Sequence, residues 1–471
     1  MSTASSFSTQ NLLDTFTRRD DYRNFSAFGQ LFKFLILAGV WTGIVLSAAA
    51  GGAVTFAWAL PLAINMLPKF LPVSVELAAQ AAEVMQFLAP VVTVATFIPV
   101  NALFLVLCER KTLALLTMRT GPTDVGPNGF LQTMADAVKL LFKEDICPDG
   151  SDRLLFFLSP ALFFAPAMVV FMPLTAVAAD NVGVFRQANF DIGLLFMMAI
   201  ASMGTMCLVM AGWSSNNKYS LIGGLRAAAQ AVSYEIPMVL AIIAIVLMTG
   251  SVNLVEVSDS QAGGLLNWNI FGQGKIVYIT NLFANSGGDY LQGFLALIFV
   301  GLCAFLFLIF LTASIAEVNR IPFDIPEAES ELVSGFNTEF TGMKFALFFL
   351  AEYTNLFIVS GISVVMFLGG SHLPISHELE SSIYVALSDV TVNLPLLGNA
   401  FGILENLNLV WTLTSLVFIV KIYSMIVLAI WIRATLPRLR VDQLMEFGWK
   451  YLIPVSLLCI FLMAILLEYF N

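Results

Sequence analysis

The chain runs to 471 residues, of which 59% are hydrophobic and only 11% charged, with a net charge of −10 at neutral pH. A soluble domain carries about 25% charged residues, so a water-facing globule is excluded and the implied solvent is lipid, in keeping with a mean hydropathy of +0.87. The five cysteines (Cys108, Cys147, Cys207, Cys303, Cys459) are scattered without a CxxC pair, and His372 and His377 stand in one loop without further ligands. That spacing argues against an iron–sulfur cluster or structural zinc, and no metal site is expected.

A bilayer span takes roughly 20 apolar residues. Nine such runs are predicted, at 31–60, 85–108, 154–178, 191–213, 233–250, 291–315, 345–370, 406–431 and 451–470. The first has a long polar leader and reads as an uncleaved anchor helix rather than a signal peptide. Lys and Arg gather in 1–30, 109–153, 214–232, 316–344 and 432–450, whereas Lys69, Arg186 and Lys275 fall in the alternate segments and Lys421 inside a span. Basic loops stay cytoplasmic, so the N-terminus is expected inside and the C-terminus outside. The other two long loops, 251–290 and 371–405, are rich in Gly, Asn and Ser and suggest no chemistry. No internal repeat is visible.

Three inner segments carry more than solubility requires. In the first, a Gly/Pro turn at 121–129 stops helix, and 130–144 then regains helical spacing, with Leu131, Met134, Val138 and Leu141 on one face and Asp136, Lys139 and Lys143 on the other. This is either a topogenic loop with an amphipathic surface helix or part of a site. In the second, Arg226, Gln230 and Glu235 lead into a span. Glu235 either complements a helix dipole or, if buried among other acids, exchanges protons. The third, 316–340, sets Glu317, Asp324, Glu327, Glu329, Glu331 and Glu339 against Arg320. Pro322 and Pro326 break helix, so these acids line either an irregular, partly buried cavity or a solvated hinge. Glu327 and Glu331 would share a face if the segment turned helical. Glu352, Tyr353 and Lys421 lie inside spans, where a bare charge costs about 3 kcal/mol; a structural ion pair and a wet path are both open.

Four strings make the chain recognisable: GWSSNNKYSLIGGLRAAAQAVSYE at 212–235, AEVNRIPFDIPEAESELVSGFNTEF at 316–340, FFLAEYTN at 348–355 and WIRATLPRLRVDQLMEFGWK at 431–450. Over about 85–470 the chain resembles the H-subunit family of bacterial NADH-quinone oxidoreductase, equivalent to mitochondrial complex I subunit 1. It departs from the family at Thr123 and Thr133, where Asn and Pro are usual, both near the expected quinone entrance. The resemblance implies an all-α, polytopic membrane helical bundle of about nine transmembrane helices. These are an eight-helix family core plus one N-terminal helix, with an amphipathic surface helix and structured cytoplasmic loops, in a bacterial inner membrane. Residues 1–84 would form a tail, extra anchor helix and linker, and 85–471 the quinone-chamber domain.

By the same resemblance the chain would build the quinone chamber with the peripheral arm and couple quinone reduction to proton transfer. The implied proton-coupling residues are Glu235, Glu317, Glu327, Glu329, Glu331, Glu352 and Tyr353. The implied quinone-binding residues are Arg110, Arg119, Asp136, Arg226, Arg320, Phe323 and Asp324. The substrate would be ubiquinone or menaquinone, with no covalent cofactor, flavin or iron–sulfur cluster in this chain. Expected partners are the iron–sulfur subunits of the peripheral arm, small and antiporter-like membrane-arm subunits and lipid, and no nucleic acid. The alternative is the equivalent subunit of a ferredoxin- or hydrogenase-linked complex. A stand-alone ion transporter fits the large acid loop and the lack of repeats less well.

Overall fold

The computed structural model describes residues 75–126, 129–178, 189–275, 290–327, 329–388 and 409–470. The predicted anchor helix at 31–60, and with it most of the 1–84 unit, lies outside them. Among the described residues every regular element is helical: α1 Val75–Leu116, α2 Gln132–Phe142, α3 Arg153–Ala178, α4 Gly193–Ala201, α5 Met203–Ser214, α6 Lys218–Thr249, α7 Leu254–Asp259, α8 Tyr290–Glu317, α9 Glu329–Leu332, α10 Gly342–Phe367, α11 His377–Ser388, α12 Leu409–Thr435, α13 Val441–Glu446 and α14 Ile453–Phe470. Seven stretches among the described residues are long and apolar enough to cross a membrane: Arg153–Val177, Gly193–Ser214, Lys218–Thr249, Leu291–Glu317, Gly342–Phe367, Leu413–Thr435 and Val441–Phe470. The predicted run at 85–108 falls inside α1, which is 42 residues long. The protein is a multi-pass membrane bundle.

Three predicted boundaries move, each for a local reason. The 191–213 run is broken at Ser202, whose hydroxyl bonds back to Ala199 O at 3.0 Å and Met198 O at 3.3 Å, a competition with the backbone that bends helices. α6 starts at Lys218, well before the apolar run, because Asn217 caps it: its side chain accepts from Tyr219 N at 3.0 Å, as an N-cap should. Arg226, Gln230 and Glu235 therefore sit on a helix and not in a loop. The expected 432–450 loop is also mostly helical, since α13 passes into α14 through a π-helical turn at Phe447–Leu452.

α6 packs along α5, α8 and α14, while α10 packs along α3 and α12, and α1 lies against α3, α10 and α12. Leu195, Met206, Leu297 and Phe461 point away from this core and are exposed, as suits side chains solvated by lipid tails. Alternating helix directions bring the segments around 117–152, 215–217, 318–341 and 436–440 to one end, and hydrogen bonds tie them there. Asn217 Nδ2 donates to Glu339 Oε1 at 2.7 Å, Thr341 Oγ1 to Glu144 O at 3.3 Å, and Leu439 N to Pro322 O at 3.1 Å. Gly223 of α6 belongs to the same junction. A Cβ there would lie 2.7 Å from Phe336 N, so only glycine lets the acid-rich segment rest directly on α6.

α2 is the expected surface helix, but it turns its apolar stripe outward. Leu131, Met134, Val138 and Leu141 are exposed, whereas Thr133 is buried against the bundle. Of its polar residues Asp136 docks, on Arg110, whereas Lys139 and Lys143 stay exposed.

Candidate functional site

Four elements deliver charge to one point at the acid-loop end. Glu109, near the end of α1, is 5% exposed. Arg320, in the turn after α8, donates from Nη1 to both Glu109 oxygens at 3.1 Å. Tyr353 of α10 donates its hydroxyl to Glu109 Oε2 at 2.6 Å, and Arg433, at the end of α12, forms an ion pair with the other oxygen. The Arg320 guanidinium also lies over the Tyr353 ring, 4.3 Å from its centroid. A carboxylate buried this deeply is tolerable only with such partners.

The turn that carries Arg320 is held by buried Gln230. Its amide nitrogen donates to Ala316 O and Phe323 O, both at 2.7 Å, fixing where α8 ends and where the loop returns. Phe323 closes the same corner against Tyr234, with ring centroids 5.4 Å apart. Local backbone geometry thus sets the guanidinium's position.

Acids surround this hub. Glu352, next to Tyr353 in the chain, is buried and meets the Glu327 carboxyl. Glu327 Oε1 in turn accepts from Asn337 Nδ2 at 2.5 Å. Asp324 pairs with Arg438 at 2.8 Å. Burial, with Glu327 close by, outweighs that guanidinium and pushes the Asp324 carboxyl up to about 6. Further along, Glu317 at the end of α8 faces Glu235 of α6. Glu317 also lines a cavity of about 40 Å³, together with Asn355, Phe163, Met238 and Gly204. That is room for a water or two, since one needs about 10–15 Å³ of such volume.

The structure therefore brings together Arg320, Phe323, Asp324, Glu327, Glu352 and Tyr353, with Glu235 and Glu317 as a second acid pair. It sets the other candidates apart. Glu331 is half exposed and paired with Arg226 at 2.6 Å. It does not share a helical face with Glu327, because α9 begins only at Glu329 and runs four residues. Arg110 and Asp136 pair at 2.6 Å between α1 and α2, and Arg119 is exposed just beyond α1. The side chain of Glu329 lies outside the described residues. Lys421 does not pair with Glu352; it binds backbone carbonyls at the opposite end of α10. Beside Arg226 lies an apolar groove of about 210 Å³, walled by Ile222, Leu225, Ala229, Ile325, Leu444 and Met445.

Sequence reasoning singled out neither Glu109, Arg433, Arg438 nor Asn337. The one signal available for Glu109 was an acid closing a long apolar run. Chemically, the assembled site offers carboxylates in mutual contact, guanidiniums that cannot release protons, and a phenol hydrogen-bonded to a carboxylate. Such a set answers a change of nearby charge by moving a proton.

A sequence profile described as NADH dehydrogenase matches residues 89–464. The H subunit of the NADH-quinone oxidoreductase of Bacillus cytotoxicus is 42% identical over 368 residues, covering 78% of this chain and 89% of its own. That of Brevibacillus brevis is 41% identical over 365 residues, 77% of this chain and 88% of its own. The NADH-quinone oxidoreductase subunit 8 of Rhodothermus marinus is 39% identical over 374 residues, 78% of this chain and 95% of its own.

Proposed function

The chain belongs to the NADH dehydrogenase family that includes the H subunit of NADH-quinone oxidoreductase, and we propose that it is the membrane subunit of such a complex that forms the quinone chamber and couples quinone reduction to proton transfer. The observation that carries this reading is the buried run of contacts Glu109–Tyr353 and Glu352–Glu327, clamped by Arg320 and Arg433 at one end of the bundle. Reducing a quinone creates a transient anion that demands protons. Acids already in contact, next to immovable cations, are equipped to supply them. The Glu235–Glu317 pair, beside a cavity large enough for water, extends the run toward the membrane interior.

On this reading 85–471 is the chamber domain. Peripheral-arm subunits carrying iron–sulfur clusters cover the acid-loop end, and membrane-arm subunits take up the protons. The gathering of Lys and Arg in the segments at the acid-loop end supports a cytoplasmic side for it. The exposed apolar stripe of α2 and the apolar groove beside Arg226 suit an isoprenoid tail or a covering subunit. Arg110, Asp136 and Arg119 then stand at the rim of the chamber.

The test is Glu352→Gln and Glu327→Gln, made separately in the assembled complex. Both keep side-chain volume and remove a titratable group. Each should leave assembly intact while lowering coupled NADH:quinone turnover. Normal turnover and normal proton pumping in both variants would overturn the reading.

A further inference from the structure

The opposite end of the bundle is closed by a polar cap whose contacts all converge on the last turn of α10. A helix ends with carbonyls that have no partner within it, and in a membrane protein water would enter to satisfy them. Here side chains take two of those carbonyls, and backbone N–H groups take a third, Val364 O. Fully buried Gln261 donates to Val365 O at 2.7 Å, and its own oxygen accepts from Gly369 N at 2.9 Å. Fully buried Asn269 donates to Met366 O at 2.7 Å. Lys421, reaching across from α12, donates to Leu368 O, Gly370 O and His372 O at 2.8, 3.0 and 2.7 Å.

Lys421 Nζ thus lies within hydrogen-bond distance of three carbonyl oxygens, one for each hydrogen that an ammonium carries. It lies over the indole of Trp268, 4.4 Å from the ring centroid. Gly370, at φ +49°, closes on Val364 O at 3.0 Å and leaves no space beneath it, since a Cβ there would fall 2.0 Å from Ser258 Oγ. Within the same segment, apolar Leu254, Val255 and Val257 are buried. His372 then bridges Asp259 and Glu380 at 3.2 and 3.3 Å across the rim.

We propose that this cap, residues 250–275 closed on the Gly369–Gly370 turn and bolted by Lys421, is a proton barrier. It keeps protons held by the buried acids from escaping through this chain to the far side of the membrane. One physical element serves that purpose: carbonyls at this end are taken by Gln261, Asn269 and Lys421 rather than by water, which leaves a proton no hydrated path. Lys421 stands 12 residues before Arg433 on α12, about 18 Å at 1.5 Å per residue, so the barrier and the acid hub share one helix. The inference rests on the coupling reading above, because only a protein that handles protons needs such a seal.

The experiment uses the whole complex in proteoliposomes without NADH, with an imposed pH difference and a pH dye inside. Two variants attack the barrier differently: Lys421→Met removes the amine that ties three carbonyls and Gly370→Ala pushes a methyl group into Ser258. Each should raise passive proton flux severalfold while uncoupled electron transfer from NADH to quinone is retained. Wild-type flux in both assembled variants would overturn the proposal. Should either variant fail to assemble, hydrogen exchange in the wild-type complex decides. The amides of Gly369 and Gly370 should be protected like those in the middle of α10, and exchange at the rate of an open loop would refute the seal. Leak is read without substrate, so a wild-type complex lacking NADH:quinone turnover would sink the coupling reading alone.

Discussion

Replacing Glu109 by Gln tests the hub most directly. The change keeps volume and shape but removes the one anion that touches Arg320, Arg433 and the Tyr353 hydroxyl together. Breaking a buried ion pair by removing one partner costs about 3–5 kcal/mol. Arg320 is 11% exposed and is left with little water, whereas Arg433 is 28% exposed and can be partly hydrated, and Glu352 and Glu327 remain near Arg320. The lower end, ~3 kcal/mol, is therefore expected. The control is Asp136→Asn, which breaks a pair whose side chains are 42% and 27% exposed and should cost at most about 1 kcal/mol. Thermal and denaturant dissociation of the purified complex, followed on this subunit, would compare the two. If Glu109→Gln proves no more destabilising than Asp136→Asn, the hub is hydrated and the argument from burial is wrong.

Two further outcomes concern pH. Asp324 has a folded pKa of about 6, above the usual 3.8 of an aspartate, so the folded state holds its proton more tightly. Its contribution to stability is present below about pH 4 and lost as pH rises to about 6. Asp324→Asn should flatten the thermal stability profile between those limits, and an unchanged slope would remove the assignment. At the other end, burial alone would lower the His372 pKa, but hydrogen bonds to the Asp259 and Glu380 carboxylates outweigh it and raise it from 6.5 to about 9. Its stabilisation is complete below about pH 6.5 and lost as pH rises through about 9. His372→Gln should weaken the complex at pH 7 but not at pH 10, as read by melting temperature; an equal loss at both pH values would count against the clamp.

The spans were legible because lipid leaves little choice: each crossing must be a long apolar run with its backbone satisfied internally. The acid loop was legible because six acids on an otherwise basic face violate topology. The hub was not. Glu109 finds Arg320 and Tyr353 at 211 and 244 residues along the chain, and no local pattern encodes a pair so distant. The start of α6 was hidden because scanning for apolar runs counts lipid-facing residues, whereas Arg226 and Gln230 point at the loop they hold. The far-side cap read as Gly-, Asn- and Ser-rich connection because the partners of Gln261 and Asn269 are backbone carbonyls of α10, invisible to any search for complementary side chains.

The charges around the hub do not balance, and that imbalance bears on mechanism. Glu109, Asp324, Glu327 and Glu352 supply four carboxyl groups; Arg320, Arg433 and Arg438 supply three guanidiniums. With all four acids ionised the cluster would carry one uncompensated negative charge in a poorly solvated place, which proteins avoid by keeping a proton. Guanidiniums stay charged, so this proton is the movable charge of the cluster. An anion arriving beside Arg320 or Arg433 would compete with Glu109 for its cations and drive that carboxylate toward protonation. Glu327 and Glu352 already touch, so a proton can pass between those two without rearrangement. Neutralising one acid should therefore slow coupled turnover, while removing one guanidinium should change which acid holds the proton and so shift the pH dependence of turnover.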